Sequence, residues 1–135
     1  PFLDLARNQA TRPLLPETFP NFLLDDWVRM YCPDKLLRKH VPVSPVYMDE
    51  KTAETFPPSV ITVAKRCRLQ EDGIRFHEIL DAAHVNNLLL SVDERHGFIE
   101  RHMRSIFLTP EDPSVMNAKA VTDQSFLYLA EQAAI

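Results

Sequence analysis

A cysteine and a histidine each follow a short apolar segment of this sequence. Cys67 comes shortly after residues 60–64 (VITVA), and His96 comes shortly after residues 88–92 (LLLSV). A thiolate paired with an imidazolium is a known nucleophile, so the two side chains would form a reactive dyad if the fold brought them together. Cysteine is also commonly a small, inert, buried residue, and the residue type alone favours this second interpretation for Cys67.

Both apolar segments have the composition of buried β-strands, and a helix is predicted between them. Residues 71–85 carry an apolar stripe at helical spacing. The stripe consists of Phe76, Ile79, Leu80 and Ala83. A strand, a helix of roughly 12 to 15 residues and a second strand form a βαβ unit with parallel strands and a right-handed crossover. Because functional groups gather at the carboxyl edge of such a sheet, we expect Cys67 and His96 to meet there.

Two further helices are predicted outside this unit. Residues 21–31 precede Pro33 and carry apolar residues near helical spacing, and residues 117–135 form a closing amphipathic helix after a loop at residues 111–113. The apolar residues of the first helix are Phe22, Leu23, Trp27, Met30 and Tyr31. The core residues predicted for the closing helix are Val121, Leu127, Ala130 and Ala134.

The predicted organisation is a single partial α/β domain. Residues 1–58 are interpreted as an irregular, cap-like connection with a short helix, and residues 59–135 as the βαβ unit and the closing helix. Parallel strands are buried on both faces and need neighbours on either side. Two strands therefore predict an incomplete sheet.

Composition and charge narrow the functional class. The chain has 135 residues, of which 45% are hydrophobic and 25% charged, as in an ordinary soluble domain. Its net charge of -4 argues against a nucleic-acid interface, and no apolar run approaches the roughly 20 residues of a membrane span. Cys32 and Cys67 lack the spacing of a zinc site or a disulfide-rich scaffold, so both are interpreted as thiols. The compartment stays open.

A second set of candidate ligands lies on the predicted crossover helix. His77, Asp81 and His84 share one face at spacings i, i+4 and i+7, which would present three metal ligands. The face opposite an apolar stripe is expected to be polar and solvated, and this interpretation is favoured. This interpretation predicts no metal ion on the helix.

A longer series of landmarks resembles a known family. Residues 56–73 (FPPSVITVAKRCRLQEDG) resemble a signature of the hormone-sensitive-lipase-like esterases. In that family a Pro-Pro pair leads into a strand ending in Asp-Pro-Leu, and an acidic pair and Gly then open a helix. Residues 96–98 (HGF) are similar to the family's His-Gly-Phe, and the aromatic helix at residues 27–31 and the Ser-Pro pair at residues 44–45 also match. The agreement in order, type and spacing covers nearly the whole chain.

The resemblance implies an α/β-hydrolase fold and a serine ester hydrolase with a Ser, acid, His triad in that chain order. The family carries its serine on a strand-to-helix elbow and has an oxyanion loop further upstream. Neither Gly-x-Ser-x-Gly nor His-Gly-Gly occurs in this sequence. Residues 1–5 resemble the segment just beyond the family's central strand, so the missing half is expected before Pro1. The chain would be the carboxyl-terminal portion, inactive alone, with no cofactor required.

One departure from the family concerns the catalytic acid. His96 stands where the family has its catalytic base, but Cys67 stands where the family has the catalytic Asp. An ionised carboxylate holds the histidine in one tautomer and stabilises the imidazolium, which a neutral thiol does poorly. Asp72 or Glu71 is the alternative acid if it reaches His96.

Three functional hypotheses follow. The first is a fragment of an esterase acting on small esters, with His96 as base. The second is a non-catalytic α/β-hydrolase-like protein that binds a small molecule or a partner, which the change at Cys67 favours. The third is a degenerate fragment that pairs with itself or a complementary chain to cover its strand edge and apolar helix faces. No nucleic acid and no transmembrane segment are expected.

Overall fold

Two parallel strands joined by a helix form the centre of the chain, as the sequence predicts. The computed structural model describes residues 4, 6, 21–100 and 112–134. The helices are α1 (Asn21–Tyr31), α2 (Glu50–Ala53), α3 (Gln70–Ala82) and α4 (Pro113–Ala133), and the strands are β1 (Ser59–Arg66) and β2 (Asn87–Arg95). Two 3-10 turns, Lys35–Lys39 and Pro45–Tyr47, connect α1 to α2.

The register of the two strands determines which residues lie side by side just after their carboxyl ends. β1 and β2 pair in parallel from Ser59 opposite Asn87 onward, and an irregularity after Ala64 shifts the register by one residue, so that Arg66 lies opposite Arg95. The residues that follow are Cys67 and His96. They are therefore level with each other at the same edge of the sheet.

The two faces of the sheet are covered by different helices, because side chains along a strand alternate between its faces. On one face, Leu80 and Ala83 of α3 pack in a cluster with Met48 and Ala53, and the partly buried Ile61 packs against this cluster. On the other face, the cluster contains Ala118 and Val121 of α4 with Ala64, Cys67 and Phe98. The sheet thus separates the crossover helix from the closing helix.

Helix α3 ends three residues earlier than the sequence predicts. The backbone N–H of Val85 donates to the carbonyl of Leu80 at 2.9 Å, and that of His84 donates to Asp81 at 3.0 Å. His84 has φ of +55°, the left-handed conformation of a residue that closes a Schellman motif. The motif turns the chain directly into β2.

Helix α4 begins four residues earlier than predicted, so the predicted loop is wrong at Pro113; Glu111 lies outside the described residues. Asp112 accepts a hydrogen bond from the backbone N–H of Ser114 at 2.9 Å, and the next residue is proline. A capping aspartate followed by proline at the first helical position is a strong start signal.

The predicted apolar stripe of α4 has the wrong phase. Val121 is buried, but Leu127 is 65% exposed and Ala130 and Ala134 are exposed too. The face on the sheet continues instead through three partly buried residues, Ser125, Tyr128 and Gln132. The helical spacing of apolar residues correctly predicts a helix. Because alanines and leucines occur on several of its faces, the spacing does not determine which face packs on the sheet.

The stripe predicted for α1 also has the wrong phase. The buried residues are Leu24 and Val28, each 2% exposed, whereas Met30 and Tyr31 are more than 70% exposed. Val28 packs with Cys32, one turn later, in a small separate cluster. The side chain of Phe22 lies outside the described part of the chain.

Candidate active site

Cys67 and His96 meet at the carboxyl edge of the sheet. The Sγ atom of Cys67 lies 3.2 Å from Nδ1 of His96. Cys67 is buried, with 6% of its surface exposed, while His96 is exposed. The structure therefore brings together the two residues that the sequence singled out, although 29 positions separate them.

The main chain around Cys67 places its sulfur at the start of α3. The backbone N–H of Leu69, the residue that caps α3, donates to Sγ of Cys67 at 3.3 Å. The carbonyl of Cys67 accepts from the N–H of Gln70 at 3.1 Å, which closes a tight turn between β1 and α3. The positive end of the 13-residue helix dipole therefore acts on the sulfur.

A glycine and a buried aromatic residue hold the loop that carries His96. Gly97 has φ of +72°, a left-handed conformation that residues with a Cβ rarely adopt. Phe98 is 5% exposed and packs against Cys67 and Val121 beneath the sheet edge. Gly97 thus turns the chain, and Phe98 anchors it to the core next to the cysteine.

Helix α3 approaches β1 closely enough to require a glycine. A Cβ placed on Gly73 would lie 2.4 Å from Cγ1 of Val63, well inside contact distance. The close approach fixes the first turn of α3 against the strand. Because the turn at Cys67 joins these two elements, the same contact positions the sulfur.

Asp72, the alternative acid, takes part in a buried network on α3. It is 2% exposed, and its Oδ2 accepts a hydrogen bond from the backbone N–H of Asp4 at 3.2 Å. The side chain of Asp4 accepts from Tyr47 Oη and Arg75 Nη1, each at 3.1 Å. This network, called the Asp4 network below, fastens residue 4 to α3 and to the 3-10 turn before α2.

The Asp4 network changes the acidity of its phenol. The pKa of Tyr47 is raised above its ordinary value of 10.0, first by burial and then by the negative charge and hydrogen bond of Asp4. The guanidinium of Arg75 lies 5.3 Å from the centre of the Tyr47 ring and acts in the opposite direction. The raised pKa keeps Tyr47 a hydrogen-bond donor throughout the neutral range.

The candidate metal ligands are not brought together. Nδ1 of His77 contacts Oδ1 of Asn87, whose Nδ2 donates to the Val85 carbonyl, so His77 is the donor to the amide oxygen. His84 lies beyond the helix end, off the face of Asp81. Among the described residues, no group of three or more His, Cys, Asp or Glu side chains could hold a metal ion.

Two aromatic residues of α1 and two serines near the family landmarks take no part in the contact between Cys67 and His96. Trp27 borders a shallow depression on α1, and Tyr31 is 71% exposed, so neither packs as a core aromatic residue. Ser44 is fully buried before a 3-10 turn, and the hydroxyl of Ser59 donates to a carbonyl two residues earlier. Neither serine lies on a strand-to-helix elbow.

A cavity of about 400 Å³ opens beside the cysteine and histidine. Its lining includes both side chains, the Gly97 turn, residues 60–64 of β1 and Phe76 of α3. These residues run along the edge of β1 that does not pair with β2. The cavity is the size of a small-molecule site and is mostly apolar in its lining side chains.

The sequence reasoning missed two contributions to the site. The first is the backbone N–H of Leu69, which was signalled only by its position two residues after Cys67 at a helix start. The second is Glu94, a buried carboxylate two residues before His96 that accepts from Asn117 of α4 at 2.9 Å. Glu94 ties the end of β2 to the closing helix.

Comparison with known proteins agrees with this geometry. The family described as the alpha/beta hydrolase fold matches residues 1–100, and the chain belongs to that family. No curated protein sequence matches the chain.

Solved esterases share the fold. Carboxyl esterase 2 of the fungus Tuber melanosporum superposes with a TM-score of 0.72 at 20% identity, over 95% of this chain and 40% of the esterase. Brefeldin A esterase, described as a bacterial homologue of human hormone-sensitive lipase, gives a TM-score of 0.66 at 22% identity, over 87% of this chain and 31% of the esterase. A fungal esterase of Rhizomucor miehei gives 0.61 at 17% identity, over 82% of this chain and 34% of the esterase.

The chain therefore spans between about a third and two fifths of the length of these esterases. The resemblance to the hormone-sensitive-lipase-like esterases and the α/β-hydrolase fold, both expected from the sequence, are confirmed. In the described part of the chain, no helix is long and apolar enough to cross a membrane.

Proposed function

We propose that this chain is the carboxyl-terminal portion of a serine carboxylic ester hydrolase and that His96 is its catalytic base. The observation that carries the proposal is the contact between His96 Nδ1 and the side chain at position 67, 3.2 Å apart. In a Ser-His-acid triad the orienting group binds Nδ1, which leaves Nε2 to accept the serine proton. The pair at the sheet edge has this geometry.

The reaction would be acyl transfer followed by hydrolysis. Nε2 of His96 would take the proton of a serine hydroxyl as that oxygen attacks the ester carbonyl, then return the proton to the departing alcohol. A water molecule would release the acid by the same steps in reverse order. The serine and the oxyanion loop would come from residues before Pro1 or from a complementary chain, and small esters would enter the cavity beside His96.

Cys67 would orient the histidine in place of a carboxylate. With His96 Nδ1–H as donor, the sulfur accepts this hydrogen bond together with that of Leu69. A neutral thiol stabilises the imidazolium less than a carboxylate does, so the proposed enzyme is slow. Asp72 is the alternative acid proposed from the sequence, and its contact with Asp4 supports a structural role instead.

The proposed division of the chain follows the packing. Residues 1–58 would form the cap-like connection, whose described part contacts α3 through Met48, Ala53 and Tyr47. Residues 59–135 would supply the βαβ unit and the closing helix. Both parts would belong to one partial hydrolase domain.

The second candidate function is non-catalytic binding of a small molecule. The cysteine at position 67 favours it, because a thiol replaces the group on which the triad depends. The third candidate, a fragment completed by a partner chain, is favoured by the edge of β1 beside the cavity, which pairs with no strand among the described residues. Non-catalytic binding predicts that ester hydrolysis does not depend on His96, and the third candidate predicts oligomers or aggregation.

The first test is the mass of the native gene product, measured on protein captured with an antibody against this chain. We expect a mass well above the 15.6 kDa of this sequence. A native mass equal to that value would contradict a serine supplied by the same chain.

The second test is hydrolysis of short-chain nitrophenyl esters by the native product and two matched variants. His96→Ala should lower kcat by at least about 100-fold, because it removes the base. His40→Ala is the control, since His40 is equally exposed but lies on the loop before α2. Activity that survives in His96→Ala would refute the esterase proposal and favour binding.

A further inference from the structure

We propose that Cys67 is a peroxide-sensitive modification site, in which His96 can take the thiol proton so that the sulfur reacts as a thiolate, and oxidation converts it to a sulfinate. The inference concerns the thiol chemistry of this chain itself. It rests on the proposed function only for its consequence, which is the return of a fixed anion beside the catalytic histidine.

Cys32 provides an internal comparison for Cys67, because the two side chains are equally exposed. Cys67 and Cys32 are each 6% exposed, and neither forms a disulfide. The sulfur of Cys32 lies 3.3 Å from the carbonyl oxygen of Asp34, to which its S–H donates. A carbonyl oxygen accepts a hydrogen bond from a thiol and repels an anion, so this contact does not favour a thiolate.

The surroundings of Cys67 have the opposite polarity. Its sulfur receives the backbone N–H of Leu69 at 3.3 Å and lies 3.2 Å from the ring nitrogen of His96. An adjacent imidazolium and a helix N-terminus are two of the features that favour the thiolate in reactive cysteines. The thiol proton can pass to His96, which gives an ion pair at the end of β1.

Small oxidants can reach this ion pair. Both Cys67 and His96 line the cavity of about 400 Å³ at the sheet edge. Hydrogen peroxide is far smaller than this space. Oxidation follows thiolate character together with access, and both features coincide at Cys67.

The chemistry proceeds in two balanced steps. The thiolate attacks one oxygen of hydrogen peroxide, an S–O bond forms, the O–O bond breaks, and hydroxide leaves and takes the proton of the imidazolium to become water. The product is a sulfenic acid. Its conjugate base attacks a second peroxide in the same way, which yields the sulfinate and a second water. Sulfur loses two electrons in each step, and each peroxide gains two.

The sulfinate would supply a permanent anion, whereas the thiol is an anion only while His96 holds its proton. It carries two oxygens and a negative charge, which would lie beside His96 Nδ1 where the sulfur now does. Such a group accepts the Nδ1–H hydrogen bond and stabilises the imidazolium, as a carboxylate does in a triad. Oxidation would therefore strengthen the histidine as a base rather than destroy a nucleophile.

The test is competition between the two cysteines of the folded chain, read by peptide mass spectrometry. After brief exposure to dilute hydrogen peroxide, the Cys67 peptide should gain about 32 Da, the mass of two oxygens, while the Cys32 peptide does not. With limiting iodoacetamide at pH 6, Cys67 should be alkylated at least about tenfold faster than Cys32, because a normal thiol is almost entirely protonated there. Equal rates at the two cysteines would overturn the proposal.

A variant separates thiolate formation from access. His96→Gln removes the imidazole at an exposed position and leaves the cavity open, so it should slow alkylation of Cys67 by about tenfold and leave Cys32 unchanged. Unchanged alkylation of Cys67 in this variant would show that access alone sets its reactivity and would refute the ion pair. Neither readout uses ester hydrolysis. The esterase proposal can therefore fail while this inference holds, and this inference can fail while the esterase proposal holds.

Discussion

The site at the carboxyl edge and the Asp4 network both involve the start of α3, but they surround their polar groups differently. In the Asp4 network a carboxylate that is 4% exposed is held by the phenol of Tyr47 and the guanidinium of Arg75, which lies against the Tyr47 ring. At the carboxyl edge a soft sulfur and an exposed imidazole face an open cavity. The first arrangement fastens segments together, and the second leaves the cysteine and histidine side chains facing the cavity.

The difference shows why a buried carboxylate near a catalytic histidine need not be its acid. Asp72 lies only five residues from Cys67 and is buried, which made it a reasonable substitute from the sequence. Its Oδ2 accepts a main-chain hydrogen bond from residue 4, as expected of a group that fixes a chain segment. The contacts therefore favour position 67 over position 72 as the partner of His96 in the proposed site.

The largest effect is expected when the carboxyl edge is given a carboxylate. Cys67→Asp in the native gene product should raise kcat for nitrophenyl esters by about 10²- to 10⁴-fold, because loss of the carboxylate from a comparable triad lowers turnover by about 10⁴-fold. Cys67→Ser is the matched control, since it is neutral and of similar size. An increase with serine equal to that with aspartate would show that charge is not the missing factor.

The next effect concerns the Asp4 network. Asp4→Ala removes the acceptor for Tyr47 and Arg75, and should lower the free energy of unfolding of the chain by about 2 kcal/mol in urea titrations. The expected loss of unfolding free energy is moderate because the Arg75 side chain is 49% exposed and can turn to solvent. Activity per folded molecule should not change.

A surface ion pair provides the control for that prediction. Asp93→Ala breaks the contact between Asp93 and Arg66, whose side chains are 76% and 46% exposed. Exposed pairs contribute little, so the change should be at most about 0.5 kcal/mol. A loss from Asp4→Ala no larger than this would mean that the Asp4 network does not fasten the fold.

The crossover unit could be predicted from sequence because local and long-range signals agree there. The β-branched run in β1, the stripe containing Leu80 on α3 and the leucines of β2 each have a clear period, and parallel pairing then follows from topology. The shared edge of Cys67 and His96 follows as well. The sequence does not predict that the two residues are level with each other, because this depends on the register shift after Ala64, which no local sequence signal marks.

The helices outside this unit were less predictable, for a reason visible in α4. Apolar residues occur on several of its faces, including Phe126 and Leu127, which are 70% and 65% exposed. Sequence periodicity therefore cannot fix which side meets the sheet. The Asp4 network was unpredictable for another reason, since its partners are separated by 43 and 71 positions and carry no shared motif.

The contact between α3 and β1 links the carboxyl-edge site to the Asp4 network, and it can be tested directly. Gly73→Ala places a methyl group 2.4 Å from Val63 and should lower the free energy of unfolding by about 1–3 kcal/mol. Because α3 must move, the contact between Cys67 and His96 should loosen, and preferential alkylation of Cys67 over Cys32 should weaken. Ala82→Gly, at the exposed end of the same helix, is the control for helix propensity. A tolerated methyl group at position 73 would mean that α3 does not position the sulfur.

The smallest effect is a pH dependence confined to the Asp4 network. The folded state raises the pKa of Tyr47 above 10.0, chiefly through burial, so it binds the phenol proton more tightly than the unfolded chain does. This contribution to stability is fully present below pH 10.0 and is lost as pH rises through the higher folded value. Tyr47→Phe should lower the unfolding free energy by about 1 kcal/mol at pH 7, where one hydrogen bond is lost, and by less above pH 10. Tyr31→Phe, on a side chain that is 71% exposed, should leave the curve unchanged. A constant difference between wild type and Tyr47→Phe across this range would show that folding does not raise the pKa of Tyr47.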